Sequence, residues 1–370
     1  MNKIIRIGID TSKSVFVLHG VDAAEQPILR RKLRRGQVVE FLAKLEPTKI
    51  GIEACGAAHH WARELTALGH EAVLLPPQYV KPYVKRNKND AADAEAICEA
   101  MSRPTMRFVP VKTAEQQAAL MLAGRRDGLI RRRTQLSNTI RGYAAEFGLI
   151  AAKGLDKIEP LLTRIAADQN LPELARELFA DYGRDYAELG KQVAKIEAKL
   201  KAWHKNNELS RRLAELPTIG PIGASMLVMK VTDPHAFGVG RNFSAWIGLT
   251  PKDHSTAGKM RLGVITRAGD EALRSVLVAG ATAVIQQVRK GRGHPSPWLL
   301  ELLKRKPPKL AAVALANKIA RIAWKLMVSG ERYDPQRAAG RFVPPTGRIA
   351  PRSPRQGRFA PPAGVAVGQP

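Results

Sequence analysis

Negative charge is scarce in this 370-residue chain. It has 33 Asp and Glu against 60 Lys and Arg, a net charge of +27. A balance so far from zero repels itself and is best stabilised beside a polyanion, so nucleic acid is the first partner to consider. A small acidic substrate would not call for it. Cysteine is scarce too. Cys55 and Cys98 are the only two, with no CxxC or Cys/His spacing, which argues against structural zinc. Two thiols fit a reducing compartment. Long apolar runs are absent: the most apolar late stretch, Leu310–Val328, is broken by Lys318, Arg321 and Lys325, which speaks against a membrane span. The first residues reach Asp10 too soon for a signal peptide. No basic amphipathic helix with a concentrated apolar face stands out, so a membrane surface is the weaker partner. The expected location is the cytoplasm. The hydrophobic fraction of 45% sets the chain apart from disordered proteins.

The first hundred residues read as strand, strand, strand, helix, strand, helix, strand. Ile4–Ile9, Val15–Leu18 and Ile28–Leu33 form a predicted antiparallel meander. Gln37–Leu45 has helical spacing, Lys49–Glu53 reads as a buried strand, and Ala57–Leu68 as a helix ending at Gly69. Glu71–Leu75 is a further strand. That is the order of an RNase H-like α/β layer, and several α/β folds pass near it. Asp90 to about Met101 is helical. Thr113 to about Phe147 is one long helical stretch, or two. Asp185–Trp203 places Leu189, Val193, Ile196 and Leu200 at coiled-coil spacing. A second small domain runs from Leu213 to about Tyr333. Residues 335–370 hold eight Pro, five Gly, six Arg and no acid, so a disordered basic tail is expected.

Four acids stand at the ends of these elements. Asp10 follows the first strand and Glu53 ends the fourth. Asp90 and Asp93 are three apart and share a helix face. In an RNase H-like sheet the first and fourth strands are neighbours, so Asp10 and Glu53 lie side by side with the Asp90 helix across them. Such a set repels itself unless hard divalent cations bind, and Mg²⁺ takes oxygen ligands. Two such ions about 3.5–4 Å apart can clamp a phosphodiester during in-line displacement. Each acid alone has an ordinary explanation. Asp90, for instance, suits a helix N-cap. Glu95 and Glu99 read as surface charges, His59 and His60 as packing or helix-end contacts, and Cys55 as a small buried residue near the site.

In the second domain, Leu216–Ala224 (LPTIGPIGA) has the pattern of a helix-hairpin-helix. Gly220 and Gly223 would let backbone N–H groups approach a phosphate, although an ordinary tight helix–helix turn uses the same residues. Phe243–Arg274 reads as a glycine-rich basic loop between helices. It carries Lys252, Lys259, Arg261, Arg267 and Arg274. Within it lies Ser255, followed by Thr256. A serine among cations could attack phosphorus, but taken alone Ser255 reads first as an ordinary loop hydroxyl.

GID at 8–10, IEACG at 52–56, KNDAADAEAI at 88–97, LPTIGP at 216–221 and GLTP…HSTAGK…ITRAGD..LR at 248–274 together resemble the DEDD-type transposases of insertion-sequence family 110. EACGAAHHWAREL at 53–65 is similar to the 1111 subgroup. The resemblance spans about residues 4–330. It implies a RuvC-like DEDD domain over 1–110, with Asp10, Glu53, Asp90 and Asp93 holding Mg²⁺. A helical linker and coiled-coil arm would occupy 111–210, and a mostly α C-terminal transposase domain 211–333. The tail would be 334–370. It implies DNA cleavage and rejoining through a covalent phosphoserine, a homodimer or homotetramer, DNA element ends and target, and a structured non-coding guide RNA, the bridge RNA. The family places Ser directly before Gly. Here Thr256 and Ala257 intervene: counting from Pro251 favours Thr256 and counting back from Arg267 favours Ser255, and Ser255, the only serine in the loop, is the expected nucleophile with Thr256 the alternate. A RuvC-like, structure-selective endonuclease using water is the other reading.

Overall fold

A computed structural model describes residues 3–85, 89–293 and 295–334. The expected tail, 335–370, lies outside the described residues. Strands β1 (Arg6–Thr11), β2 (Val15–Val21) and β3 (Pro27–Arg34) form the predicted meander. After a short helix α1 (Val38–Leu42), β4 (Lys49–Glu53) pairs parallel with β1. Helix α2 (Ala58–Ala67) then returns the chain to β5 (Glu71–Leu75), parallel to β4. The strand order is β3-β2-β1-β4-β5, with the first and fourth strands adjacent as expected. Parallel strands are covered on both faces, which is why the centres of β1 and β4 are apolar throughout.

Each face has its own packing solution. On one, Ile7, Ile9, Ile50 and Ile52 meet Ala58, Trp61 and Leu65 of α2, all buried. Fully burying a side chain such as Leu65 contributes roughly 1.5–3 kcal/mol. Leu68 caps α2 and Gly69 follows in the left-handed region at φ +91°, as its C′ position requires. On the other face, β1 and β4 present Gly8 and Gly51, which pair in register. A one-turn helix α3 (Pro77–Val80) leads toward α4 (Asp90–Ala100), which lies directly on that glycine floor.

Helix α5 (Ala114–Glu146) is continuous over 33 residues. Thr113 and Gln116 exchange hydrogen bonds in a capping box at its start. After α6 (Ile158–Ala167), α7 (Glu173–Lys205), also 33 residues, runs back along α5. Tyr186 packs with Ile140, Leu189 and Val193 with Leu129, and Leu200 with Ala123, which fixes an antiparallel pair. Arg126 binds Glu197 across the seam at 2.7 Å. The predicted coiled-coil residues are therefore the seam of α7 against α5.

The remaining helices share one apolar core: α8 (Glu208–Leu213), α9 (Pro221–Lys230), α10 (Gly240–Trp246), α11 (Glu271–Arg289), α12 (Pro297–Arg305) and α13 (Pro308–Ser329). Between α10 and α11 the sequence suggested a loop. The structure forms an antiparallel hairpin instead, β6 (Pro251–Asp253) and β7 (Leu262–Ile265). No helix among the described residues is long and apolar enough to cross a membrane.

Candidate functional site

The sheet brings the four predicted acids to one place. Ile9 is opposite Ile52, so the next residues, Asp10 and Glu53, sit side by side at the strand ends. Period-two alternation puts both on the face of Gly8 and Gly51, where α4 lies. Asp90 begins α4 and Asp93 follows in its first turn. The N-cap is Asn89, not Asp90: its side chain accepts from the Ala92 N–H at 2.9 Å. Asp90 is thus released from the capping role that the sequence allowed.

Asp10 sits among the other three. Burial raises the Asp10 carboxyl above its ordinary value, and the charges of Asp93, Asp90 and Glu53 raise it further. The donor set is all oxygen, the kind a hard divalent cation prefers. No three acid, His or Cys side chains among the described residues stand at metal-holding geometry as they are. The set therefore fits such an ion by donor chemistry and by its uncompensated charge, with its side chains still apart.

Neighbouring residues have other duties. His59 accepts from the Lys112 N–H at 3.2 Å and lies 2.8 Å from its ammonium. Burial, Lys112 and Arg63 push its pKa down to about 4, so the ring is neutral. His60 faces Glu64 at 3.8 Å. Cys55, expected to be buried, is exposed, because it follows β4 in the turn before α2, with its Sγ 3.5 Å from the Thr11 hydroxyl. Cys98 is the buried thiol. Glu95 pairs with Lys85 and Glu99 with Arg103.

Ser255 lies exposed on the β6–β7 hairpin. Its N–H donates to Asp253 at 2.8 Å, and its Oγ accepts from the Arg261 N–H at 2.9 Å. Hydrogen bonding from the Ser255 hydroxyl first, and from its N–H second, holds the Asp253 carboxyl below its usual range. Thr256 bridges Lys259 across a two-residue turn formed by Ala257 (φ +47°) and Gly258 (φ +77°). Ser255 is thus held within the hairpin ladder and Thr256 opens its turn. Lys252, Lys259, Arg261 and Arg267 are exposed around them. On the same hairpin Met260, Leu262 and Val264 stand 82%, 54% and 70% exposed, an apolar row left open among the described residues.

Two of the predicted phosphate contacts are placed otherwise. Arg274 is half-buried, and its Nη1 donates to the Ile247 and Ala268 carbonyls at 2.9 Å each, bracing the hairpin's root. Gly223 is buried inside α9, where a Cβ would stand 3.1 Å from Val276. Its smallness serves helix packing. Gly220 keeps the exposed position at the start of α9.

Sequence reasoning passed over two features of the acid site. The first is the repeated Gly-Ile-acid triplet in Gly8–Asp10 and Gly51–Glu53, which announces two small floor positions beneath the acids. The second is the basic run Arg30, Arg31, Lys32 and Arg34 on β3, whose charge the strand pattern alone does not use.

Comparison with known proteins gives a consistent picture. A DEDD transposase profile of the IS110 family matches residues 7–147. A second profile, described as "Transposase IS116/IS110/IS902 family", matches residues 210–294. The chain is similar to a putative transposase, y4pF/y4sB, of Sinorhizobium fredii, at 67% identity over 90% of this chain and 86% of that protein. It is 46% identical to a probable family 20 transposase of Pseudomonas aeruginosa, covering 89% of this chain and 98% of the other. It is 40% identical to the transposase for insertion sequence element IS1111A of Coxiella burnetii, over 90% and 92%.

Proposed function

We propose, from the premise that this chain belongs to the DEDD transposases of the IS110 family, how its residues divide the work of moving an insertion sequence. The chain is a DNA-cleaving and strand-transferring enzyme, and its family implies dependence on a divalent metal. The observation that carries the finer reading is the charge coupling of Asp10 to Asp93, Asp90 and Glu53 at the adjoining ends of β1, β4 and α4.

In this reading Asp10, Glu53, Asp90 and Asp93 form a RuvC-like tetrad that holds Mg²⁺. The ion would neutralise them and polarise the scissile phosphodiester. Ser255 supplies the nucleophile. Its Oγ forms a bond to phosphorus as the bond to the leaving sugar oxygen breaks, and the hydroxyl proton ends on that oxygen. The phosphoserine link keeps the phosphodiester energy, so attack by a new strand end reverses the step and rejoins DNA. Lys252, Lys259, Arg261 and Arg267 offset charge on the attacked phosphate. Gly220 offers the start of α9 to a backbone phosphate.

The hairpin of Ser255 is rooted at Leu249 in a different core from the tetrad's sheet, and the Met260, Leu262 and Val264 row, exposed among the described residues, flanks it. Both favour a homodimer or homotetramer in which the hairpin of one copy meets the acids of another. We read 1–110, 111–210 and 211–333 as catalytic, connecting and nucleophile-bearing domains. The net charge of +27 exceeds what a short DNA contact needs and supports a structured guide RNA as a further partner.

A covalent-adduct assay tests this reading. Purified protein, an element-end DNA junction, the candidate RNA and Mg²⁺ are run on a denaturing gel. The expected result is a protein–DNA band that Ser255→Ala and Asp10→Ala abolish and Thr256→Ala retains. Loss with Thr256→Ala instead of Ser255→Ala moves the nucleophile by one residue. Nicked DNA without an adduct in any lane points to a water-using endonuclease.

A further inference from the structure

The edge strand β3 carries cations that the tetrad does not account for. β3 pairs only with β2, and its residues are almost all exposed. Register decides which of its cations share the acids' face. Asp10 pairs with Val17, and Val17 pairs with Lys32. One row over, Gly8 pairs with His19, and His19 with Arg30. Gly8 is covered by α4, so both rows lie on the α4 face. The alternating residues Leu29 and Leu33 pack into the opposite core.

Lys32 is therefore two strands from Asp10, about 10 Å at the usual strand spacing of ~4.8 Å. A groove of about 750 Å³ runs from Lys32 to the start of α4, bordered by His19, Arg30, Lys32, Lys85, Asn89 and Asp90. Lys85 is engaged with Glu95. Arg30 and Lys32 have no carboxylate within ion-pair distance among the described residues.

We propose that Arg30 and Lys32 hold the phosphodiester backbone of the nucleic-acid strand where it runs beside the carboxylate site. They are positioning residues for the reaction assigned above, and the inference rests on that reading for its destination. Cations on an edge strand also guard against sheet-to-sheet pairing, and that role needs no ligand.

The test is a salt titration of binding with the full-length protein in EDTA, so that no cleavage occurs. Single-stranded DNA and RNA oligonucleotides are titrated separately by fluorescence anisotropy. The variant is Arg30→Gln/Lys32→Gln, which removes charge and keeps a polar edge. Two lost contacts at ~0.7 each should make log Kd less steep in log salt by about 1.4. A change with DNA alone assigns the groove to the substrate strand, and with RNA alone to a guide. An unchanged slope with both overturns the proposal. The swap Arg30→Lys/Lys32→Arg should keep the wild-type slope. If the swap loses it as well, the effect lies in the fold of the edge, and the proposal falls. Cleavage plays no part in this readout. A protein that never forms an adduct would sink the nucleophile reading and leave the groove result standing.

Discussion

A Cβ on Gly8 would stand 2.8 Å from the Cβ of Cys98 and 2.3 Å from the carbonyl oxygen of Ala94. Helix α4 therefore rests on the backbone of β1 with no side chain between them, and that contact sets how near Asp90 and Asp93 come to Asp10. Gly8→Ala should push α4 outward. The expected cost is about 1–3 kcal/mol, as for other overpacked sites, measured by denaturant unfolding. DNA cleavage should fall further than stability does. A variant that unfolds like wild type and cleaves at the wild-type rate would show that α4 does not need this floor.

Asp10 gives a pH and metal prediction. Its folded pKa lies above its unfolded one, so it favours the fold at acid pH and that contribution is lost as pH rises through the raised pKa. In metal-free buffer at neutral pH, Asp10→Asn should melt at a higher temperature than wild type. A divalent cation should raise the wild-type melting temperature and leave the variant's nearly unchanged. Equal responses to the cation would remove Asp10 from the ion site.

The N-cap of α4 separates the helix from its acids. Asn89→Ala removes the acceptor for the Ala92 N–H. The expected loss is about 1 kcal/mol of stability. Because the first turn carries Asp90 and Asp93, cleavage should slow while affinity for DNA in EDTA stays the same. A matching fall in affinity would mean that the cap supports binding and not the acids' placement.

Lys230 ties the long helices to the C-terminal core. Its ammonium lies 2.8 Å from Asp270 and 3.5 Å from Asp127, and all three side chains are largely buried. Lys230→Met would leave two buried carboxylates unpaired, at a cost of about 3–5 kcal/mol. Burial already raises Asp127, and losing the lysine would raise it more. Its folded pKa would then exceed the unfolded one, so the penalty should be smallest at acid pH and grow toward neutrality. Unfolding midpoints across that range check this. A penalty independent of pH would place the lysine's role in packing alone.

The sheet was legible because its signals are local. Alternation marked the strands, Gly69 marked the end of α2, and the acids stood at strand and helix ends where neighbours follow from strand order. Two things were not legible because they depend on a partner elsewhere along the chain, and a third is a matter of one position. The burial of Gly223 needs Val276 of α11. The use of Arg274 on carbonyls needs the loop that it braces. The choice of Asn89 over Asp90 as cap is a one-residue boundary that either sequence position satisfies. The hairpin around Ser255 was hidden by its turn, since Ala257 takes a left-handed conformation that Gly or Asn usually supplies.

Helices α5 and α7 each extend about 50 Å at 1.5 Å per residue, outbound and inbound over the same ground. Their near ends are seated together, with Ala123 and Leu200 against Met229 of the C-terminal core. Such a paired excursion has one adjustable dimension. Adding two turns, roughly seven residues, to both helices would move the tip outward and disturb neither seat. The gauge between the tip and the two cores can thus drift by insertion and deletion while the chemistry at either core is inherited untouched.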